Sequence, residues 1–168
     1  MAEEIINRVA QSKLVTFDLE AYYPKGKRMV LDIKDWLYEG LVLREKPFRE
    51  LADNHAWEAY DDSFVALHCS SDAIVPVWAY MLLSSKLAAR AKKIVLGTLE
   101  DLETVLYQEI IADLDVSPFK DRSVIIKGCG KKPVPDNAYL WATTKLLPVA
   151  KSLMYGEACS AVPLFKKK

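Results

Sequence analysis

The sequence carries no net charge and has few histidines and cysteines. Lysine and arginine together number 23, as do aspartate and glutamate, so the charge does not favour nucleic acid or an anionic membrane as the main partner. The lack of net charge allows self-association, and a homodimer fits the composition. Three cysteines are too few, and odd in number, for a disulfide framework. With only two histidines, no Ser-His-Asp arrangement is recognisable.

A targeting segment and a long apolar run are also missing. The first residues, MAEEIINRVAQSK, are acidic and amphipathic, whereas a secretory signal joins a basic stretch to an apolar one. No run reaches the roughly 18 apolar residues of a membrane helix. We therefore expect a soluble, cytoplasmic protein without a membrane partner, whose cysteines stay reduced.

The chain does contain enough apolar residues for a core. Hydrophobic residues make up 51% of its 168 residues, which is typical of globular proteins. This length is sufficient for one domain with a sizeable core, and no low-complexity linker divides the sequence. The expectation is a single domain over residues 1–168.

Two stretches of the chain share a sequence pattern. Val75–Gly97 aligns without a gap with Val134–Gly156, and nine of the 23 aligned pairs are identical. Ordinary amino-acid frequencies give roughly one or two identities by chance. With a one-residue gap the match extends upstream, and the chain is predicted to contain internal repeats at about residues 63–97 and 123–156.

Each repeat is predicted to form a strand, a cysteine loop, a helix and a second strand. FVALH and SVIIK are short, partly β-branched apolar runs typical of buried strands. Cys69 follows the first run directly, and Cys129 follows the second after Gly128. Pro76 or Pro135 then stands at the first helical position, where its missing N–H costs nothing. KIVLG and SLMYG predict the second strand, so each repeat is a βαβ unit with a right-handed crossover.

The segments outside the repeats complete the predicted fold. LVTFDL and RMVLDI, joined by YYPKGK, predict a hairpin or a pair of strands around a Pro/Gly turn. Thr98 and Asp101 resemble a capping box that opens a helix over Leu99–Leu114. The predicted fold class is α/β: a single compact domain with a mixed sheet, an N-terminal strand pair and two repeated strand–cysteine loop–helix–strand units.

The repeated cysteines predict a thiol site. Both stand where a strand ends and a helix follows, which is the edge of an α/β sheet at which ligands bind, and the helix dipole favours their thiolates. Lys127, Lys131 and Lys132 surround Cys129 in the sequence and would lower its pKa further. Two copies packed about a pseudo-twofold axis would bring Cys69 and Cys129 to one shared site.

Such a site suits zinc, iron or an iron–sulfur cluster, all of which thiolates bind. Cys159 would add a third thiol, and Asp72 or His68 a further ligand. His68 is the less favourable of the two, because neighbours on a strand point to opposite faces. The spacing contains no Cys-x-x-Cys motif, and the alternative is that the cysteines are small buried hydrophobic residues.

The sequence GCGKK predicts a second kind of site. Gly128 and Gly130 flank a loop whose backbone N–H groups, together with Lys131 and Lys132, can hold an anion ahead of a helix. The pattern of a phosphate-binding loop is incomplete. The alternative is a tight turn supported by glycine, with the lysines in solvent.

Four long stretches carry a family resemblance: VTFDLEAYYPKGKR, DIKDWLYEGLVLREKPFRE, CSSDAIVPVWAYMLL and VAKSLMYGEACSAVPLFKKK. They resemble an uncharacterised bacterial family of the Bacteroidetes, which is described only as a domain of unknown function. The resemblance covers essentially the whole chain. The resemblance implies no established activity and no role for any residue. It does imply a genomic association with iron–sulfur cluster assembly of the sulfur-mobilisation type, and therefore iron–sulfur assembly proteins as partners.

Three functions remain open on the sequence alone. The first is a cytoplasmic accessory protein that holds a metal, an iron–sulfur cluster or transferable sulfur through Cys69, Cys129 and Cys159. The second is a small-molecule or anion-binding protein, or an enzyme, that uses the GCGKK loop. The third is a partner-binding scaffold whose cysteines are structural.

Overall fold

The computed structural model describes residues 14–128 and 130–168. Within these ranges the chain forms seven strands and four α-helices, in the order β1 (Leu14–Asp18), β2 (Lys27–Asp32), α1 (Glu45–Asn54), β3 (Ser63–His68), α2 (Val77–Leu87), β4 (Lys93–Leu96), α3 (Leu99–Asp113), β5 (Ser123–Lys127), α4 (Asp136–Leu146), β6 (Ser152–Tyr155) and β7 (Val162–Lys166). Contacts divide the chain into unit 1, the residues up to Tyr23 with Leu106–Lys168, and unit 2, Pro24–Val105. The predicted α/β class is confirmed, and the expected single domain stays a prediction.

Unit 2 contains a parallel three-stranded sheet in the order β2-β3-β4. Its central strand buries Val65 and Leu67 in a core cluster with Ala79, Leu83 and Leu87 of α2. These three helical residues recur every four positions, which is the spacing of one helix face. α1 contributes to the same cluster, so the sheet and two helices form the core of this unit.

Unit 1 contains a mixed four-stranded sheet in the order β1-β5-β6-β7. Its first three strands are parallel, and β7 runs antiparallel to β6. α4 places Ala138, Ala142 and Leu146 in a core cluster that includes Val124 and Ile126 of β5. The helix face that packs on this sheet therefore has the same spacing as the one in unit 2.

The secondary structure follows the gap-free register of the sequence repeat. In that register Val77–Leu87 corresponds to Asp136–Leu146, and Lys93–Leu96 to Ser152–Tyr155. Both helices and both strands begin and end at these residues. Similar sequence thus gives the same elements at the same positions, while a close superposition of the two segments stays a prediction.

The sheet topology corrects the expected N-terminal strand pair. Both strands are present, but they form no hairpin with one another: β1 pairs in parallel with β5, and β2 with β3. The segment after β1 begins with a short 3-10 helix, Leu19–Tyr22, and not with a tight turn. Parallel pairing satisfies the backbone groups along one edge of β3 and of β5, and it buries Phe17 and Leu31 in the cores of their own units.

Strand β7 was not predicted from the sequence. Its segment VPLFK contains Pro163, and proline argues against a central strand because it cannot donate a ladder hydrogen bond. β7 is an edge strand whose neighbour in the sheet is β6, so it tolerates the proline. It also gives unit 1 a strand beyond β6. Within the described ranges, the sheet of unit 2 ends at β4 and has no strand at the corresponding position.

The start of α3 confirms the predicted capping box. The Thr98 N–H donates to Asp101 Oδ2 at 2.7 Å, and the Asp101 N–H donates to Thr98 Oγ1 at 3.3 Å. None of the helices in the described part of the chain combines the length and the apolar character needed to cross a bilayer.

Candidate functional site

A groove of about 910 Å³ lies in unit 1, between α4 and the carboxyl ends of β5 and β6, with β7 beyond them. Its walls include Ile126 of β5, Tyr155 of β6, Leu164 of β7, and Tyr139 and Leu140 of α4. The loop between β5 and α4, which contains the GCGKK sequence, borders it. This is the place at which ligands bind in α/β folds, beyond strand ends and beside a helix amino terminus.

The groove is apolar because α4 has apolar residues on two faces. One face carries the small residues Ala138 and Ala142 into the core, and Leu140, on the far side of the helix from these alanines, lines the groove. Leu140 is 60% exposed, and Leu164 on the opposite side is 50% exposed. Apolar side chains that lie exposed along one concave surface mark a site that another molecule covers.

Two tyrosines form the part of the groove nearest to the strand ends. The rings of Tyr139 and Tyr155 meet edge to face, with centroids 5.8 Å apart and planes at 79°. Such a pair is favourable beyond its buried area and holds both rings in place. The pair thus fixes the Tyr139 side chain as a wall of the groove.

Gly128 is glycine because α4 comes close to the loop. A Cβ atom at this position would lie 2.7 Å from Tyr139 Oη and 3.1 Å from Leu19 Cβ. Leu19 is fully buried, so it has no room to move away. The first glycine of GCGKK therefore allows the loop to pass beneath the tyrosine hydroxyl.

The second glycine of GCGKK allows a carboxylate to approach the backbone. The N–H of Gly130 donates to Glu20 Oε1, and the N–H of Lys131 donates to Glu20 Oε2 at 3.1 Å. A Cβ atom at position 130 would lie 2.5 Å from Glu20 Oε1. The Lys131 N–H has the largest effect on the pKa of Glu20 and lowers it. Desolvation opposes this, but the N–H groups of Gly130 and Lys132 and the charge of Lys127 also act to lower the pKa, which lies below its usual range.

A smaller cavity of about 110 Å³ adjoins this contact. Its lining includes Gly128 and Gly130, which also line the groove. Lys127 lies on its wall, with Nζ 4.0 Å from Asp18 Oδ2 and 3.9 Å from Glu157 Oε1. The loop thus borders both an apolar groove and a charged cavity, and Gly128 and Gly130 line both.

The structure brings the predicted anion-binding residues together. Gly128, Gly130 and Lys132 all line the groove, and the N–H groups of Gly130 and Lys131 converge on one point. That point holds the carboxylate of Glu20. The Lys132 ammonium lies 5.0 Å from the centre of the Tyr23 ring, a distance at which a cation is attracted by the ring.

The predicted thiol residues fall in both units. In unit 2, Cys69 follows β3 directly, is half-buried, and has its Sγ 3.2 Å from Ser71 Oγ. It packs against the core cluster of that unit, as the alternative of a small hydrophobic residue requires. In unit 1, Cys159 is exposed. Cys129 lies outside the described residues, so its predicted approach to Cys69 stays a prediction.

The two further predicted ligands have different surroundings. His68 is the last residue of β3 and stands opposite Asp32 of β2. Asp72 is exposed and lines a pocket of about 400 Å³ with apolar neighbours such as Ile74. Within residues 14–128 and 130–168, no three side chains of histidine, cysteine, aspartate or glutamate are grouped so that they could hold a metal ion.

Glu20 was not predicted from the sequence to belong to this site. A signal for it exists in the chain: Phe17-Asp18-Leu19 and Leu31-Asp32-Ile33 both place an aspartate between two apolar residues at a strand end. Each aspartate accepts an N–H two residues further on, from Glu20 in unit 1 and from Lys34 in unit 2. The shared pattern marks the ends of the two N-terminal strands as equivalent.

In unit 2, Asp32 at the end of β2 contacts the loop that follows β3 and contains Cys69. Its Oδ1 accepts the N–H of Ser70 at 3.1 Å. Burial opposes ionisation, but the hydroxyl and N–H of Ser70 and the N–H of Lys34 together hold the pKa of Asp32 below its usual range. In both units, therefore, a carboxylate at the end of the first strand (Asp32 of β2) or just after it (Glu20 after β1) accepts N–H groups of the loop that follows the neighbouring strand.

The model of a protein family described as "Protein of unknown function (DUF2480)" matches the chain over residues 3–167. Because the match spans nearly all of the 168 residues, the chain belongs to this family. No curated protein and no solved structure matches the chain. The expected membership of a family of unknown function is confirmed, whereas the link to Bacteroidetes and to iron–sulfur cluster assembly stays a prediction.

Proposed function

We propose that the protein binds a small, mainly apolar molecule in the groove of unit 1. The supporting observation is the combination of a volume of about 910 Å³ with exposed apolar walls, which include Leu140 and Leu164. Ligand pockets have volumes of about 300–1,000 Å³, mostly apolar walls and a few polar groups. This groove has that composition, since the GCGKK loop and two threonines supply the polar groups.

The walls favour a ligand with an apolar body. Leu140 and Leu164 provide aliphatic surface, and Tyr155 provides a ring on which a planar group can stack. The hydroxyls of Thr143 and Thr144 donate to carbonyl oxygens of α4. Each of these oxygens keeps lone pairs that can accept a hydrogen bond.

A thiol function is retained as a second proposal because of the chain position of Cys129. It stands between Gly128 and Gly130, both of which line the groove. In this proposal the protein is cytoplasmic and holds zinc, iron, an iron–sulfur cluster or transferable sulfur through Cys129, with Cys69 and Cys159 as the further predicted thiols. Iron–sulfur assembly proteins would then be its partners.

The main proposal is tested with a pair of matched variants. Leu140→Arg places a charge on the groove wall, whereas Met81→Arg makes the same change at the corresponding position of α2. Met81 is 65% exposed and Leu140 60%, so neither change disturbs a core. The readout is the fluorescence of phenylnaphthylamine, an uncharged apolar dye, titrated with each protein.

We expect the dye to bind the wild type saturably and Met81→Arg with the same affinity. Leu140→Arg should weaken dye binding about tenfold or more, because a charged wall removes the apolar contact. Far-UV circular dichroism checks that both variants are folded. No saturable binding to the wild type, or equal losses in both variants, would overturn the proposal.

A further inference from the structure

The GCGKK loop has a backbone site for an anion. The N–H groups of Gly130 and Lys131 donate to the two oxygens of one carboxylate. The Lys132 N–H also stabilises this carboxylate. Consecutive N–H groups that point to one place form a nest, an arrangement that binds anions in many proteins.

The occupant of the nest is a side chain of the protein itself. Glu20 comes from the short 3-10 helix after β1, which is 110 residues earlier in the chain than Gly130. Its carboxylate lies at the surface, so solvent and solutes can reach the contact. A carboxylate held by hydrogen bonds at the surface can be exchanged for another carboxylate.

The nest adjoins the groove. Gly130 contributes its N–H to the nest and also lines the groove, and Lys132 does the same. The exposed apolar walls at Leu140 and Leu164 belong to that same groove. Because Gly130 belongs to both, a molecule that lies along these walls can extend one end towards the nest.

We propose that the ligand of the groove is an amphipathic carboxylic acid. Its carboxylate takes the place of Glu20 on the N–H groups of Gly130 and Lys131, and its apolar part lies along Leu140 and Leu164. This inference rests on the proposed function and adds the chemistry of the polar end. Glu20 acts as an internal competitor: it holds the loop in shape without ligand and gives up the nest when ligand binds.

The test uses octanoate and octanol, which share the apolar chain and differ in the polar end. Calorimetry and ligand-observed NMR measure the binding of both to the wild type, Glu20→Ala and Glu157→Ala. Glu157 lies on the same small cavity, and its carboxylate contacts the ammonium of Lys127. Its removal changes the local charge as much as that of Glu20 but leaves the nest occupied.

Glu20→Ala should bind octanoate at least about tenfold more tightly than the wild type does, since two hydrogen bonds to a charged group become available. Octanol affinity should stay within about twofold in all three proteins, and octanoate affinity should rise by less than about threefold in Glu157→Ala. If Glu20→Ala does not fold, Glu20→Gln replaces it, with a smaller gain because the amide is a weaker acceptor.

The outcomes separate this inference from the proposed function. If octanol binds but octanoate gains nothing on removal of Glu20, the carboxylate assignment is overturned and the apolar groove stands. An equal gain in Glu157→Ala also overturns it, because general charge then explains the effect. If neither compound binds any of the proteins, the proposed function fails together with the inference.

Discussion

Replacing Gly128 with alanine should destabilise the protein through two particular contacts. The added methyl group would lie 2.7 Å from Tyr139 Oη and 3.1 Å from Leu19 Cβ, whereas non-bonded carbon atoms pack at about 3.5–4.0 Å. Leu19 is fully buried, so the tyrosine or the loop has to move. Overpacking of this kind costs typically about 1–3 kcal/mol, and we expect about 2 kcal/mol for Gly128→Ala.

A double-mutant cycle with Tyr139→Phe assigns the cost to its cause. Without the hydroxyl, the nearest ring atom is Cζ, 3.2 Å from the added Cβ, which a small shift of the ring relieves. Gly128→Ala should therefore cost about 1 kcal/mol less in the phenylalanine background than in the wild type. Urea unfolding of the four proteins measures these differences. The same cost in both backgrounds, or a cost below about 0.5 kcal/mol in the wild type, would refute the reasoning.

Three further predictions concern other parts of the chain. Glu103→Ala should lower the free energy of unfolding by about 3 kcal/mol, because it leaves Arg28 without its buried ion-pair partner. Arg28 Nε lies 2.6 Å from Glu103 Oε1, and the two side chains are 14% and 8% exposed. A loss below about 1 kcal/mol in urea unfolding would contradict this. Burial lowers the pKa of His55 from its usual 6.5, so the unfolded chain takes up the proton first, and stability should fall as the pH drops below about 6.5. His55→Gln should remove this fall from the dependence of stability on pH. An unchanged pH dependence in this variant would contradict the assignment to His55. The thiol proposal predicts that anaerobically purified protein contains metal or sulfide and that both Cys69→Ser and Cys129→Ser lose it. It also predicts that Cys129 is alkylated faster than a model thiol. Retention of the metal or sulfide in both variants rejects a shared site.

The helices and second strands of the repeats could be predicted because their signals are local. Proline at the helix start and apolar residues at helical spacing define α2 and α4, and the gap-free match assigns the same bounds to both. Pairing of the N-terminal strands could not be predicted in the same way. An alternating apolar strand suits a hairpin and a parallel ladder equally well, and the choice depends on partners far away in the sequence.

The candidate site was predictable only in part. The glycines of GCGKK indicated a loop whose backbone other groups approach closely. Tyr139 does lie close to Gly128, and Glu20 lies close to Gly130. The occupant of the nest comes from 110 residues away, so the local sequence contains no trace of it. The exposure of Leu140 was equally hidden, since a leucine on a helix is more often a core residue.

The most direct test of the proposed groove is a map of where an uncharged apolar molecule binds. Octanol is titrated into isotope-labelled protein, and amide chemical shifts are followed by NMR. We predict saturable shifts that are largest around Leu140, Tyr155 and Leu164, the walls of the groove. Shifts that never saturate, or that concentrate on the pocket beside Ile74, which is 92% exposed, would contradict the assignment of the groove as the binding site.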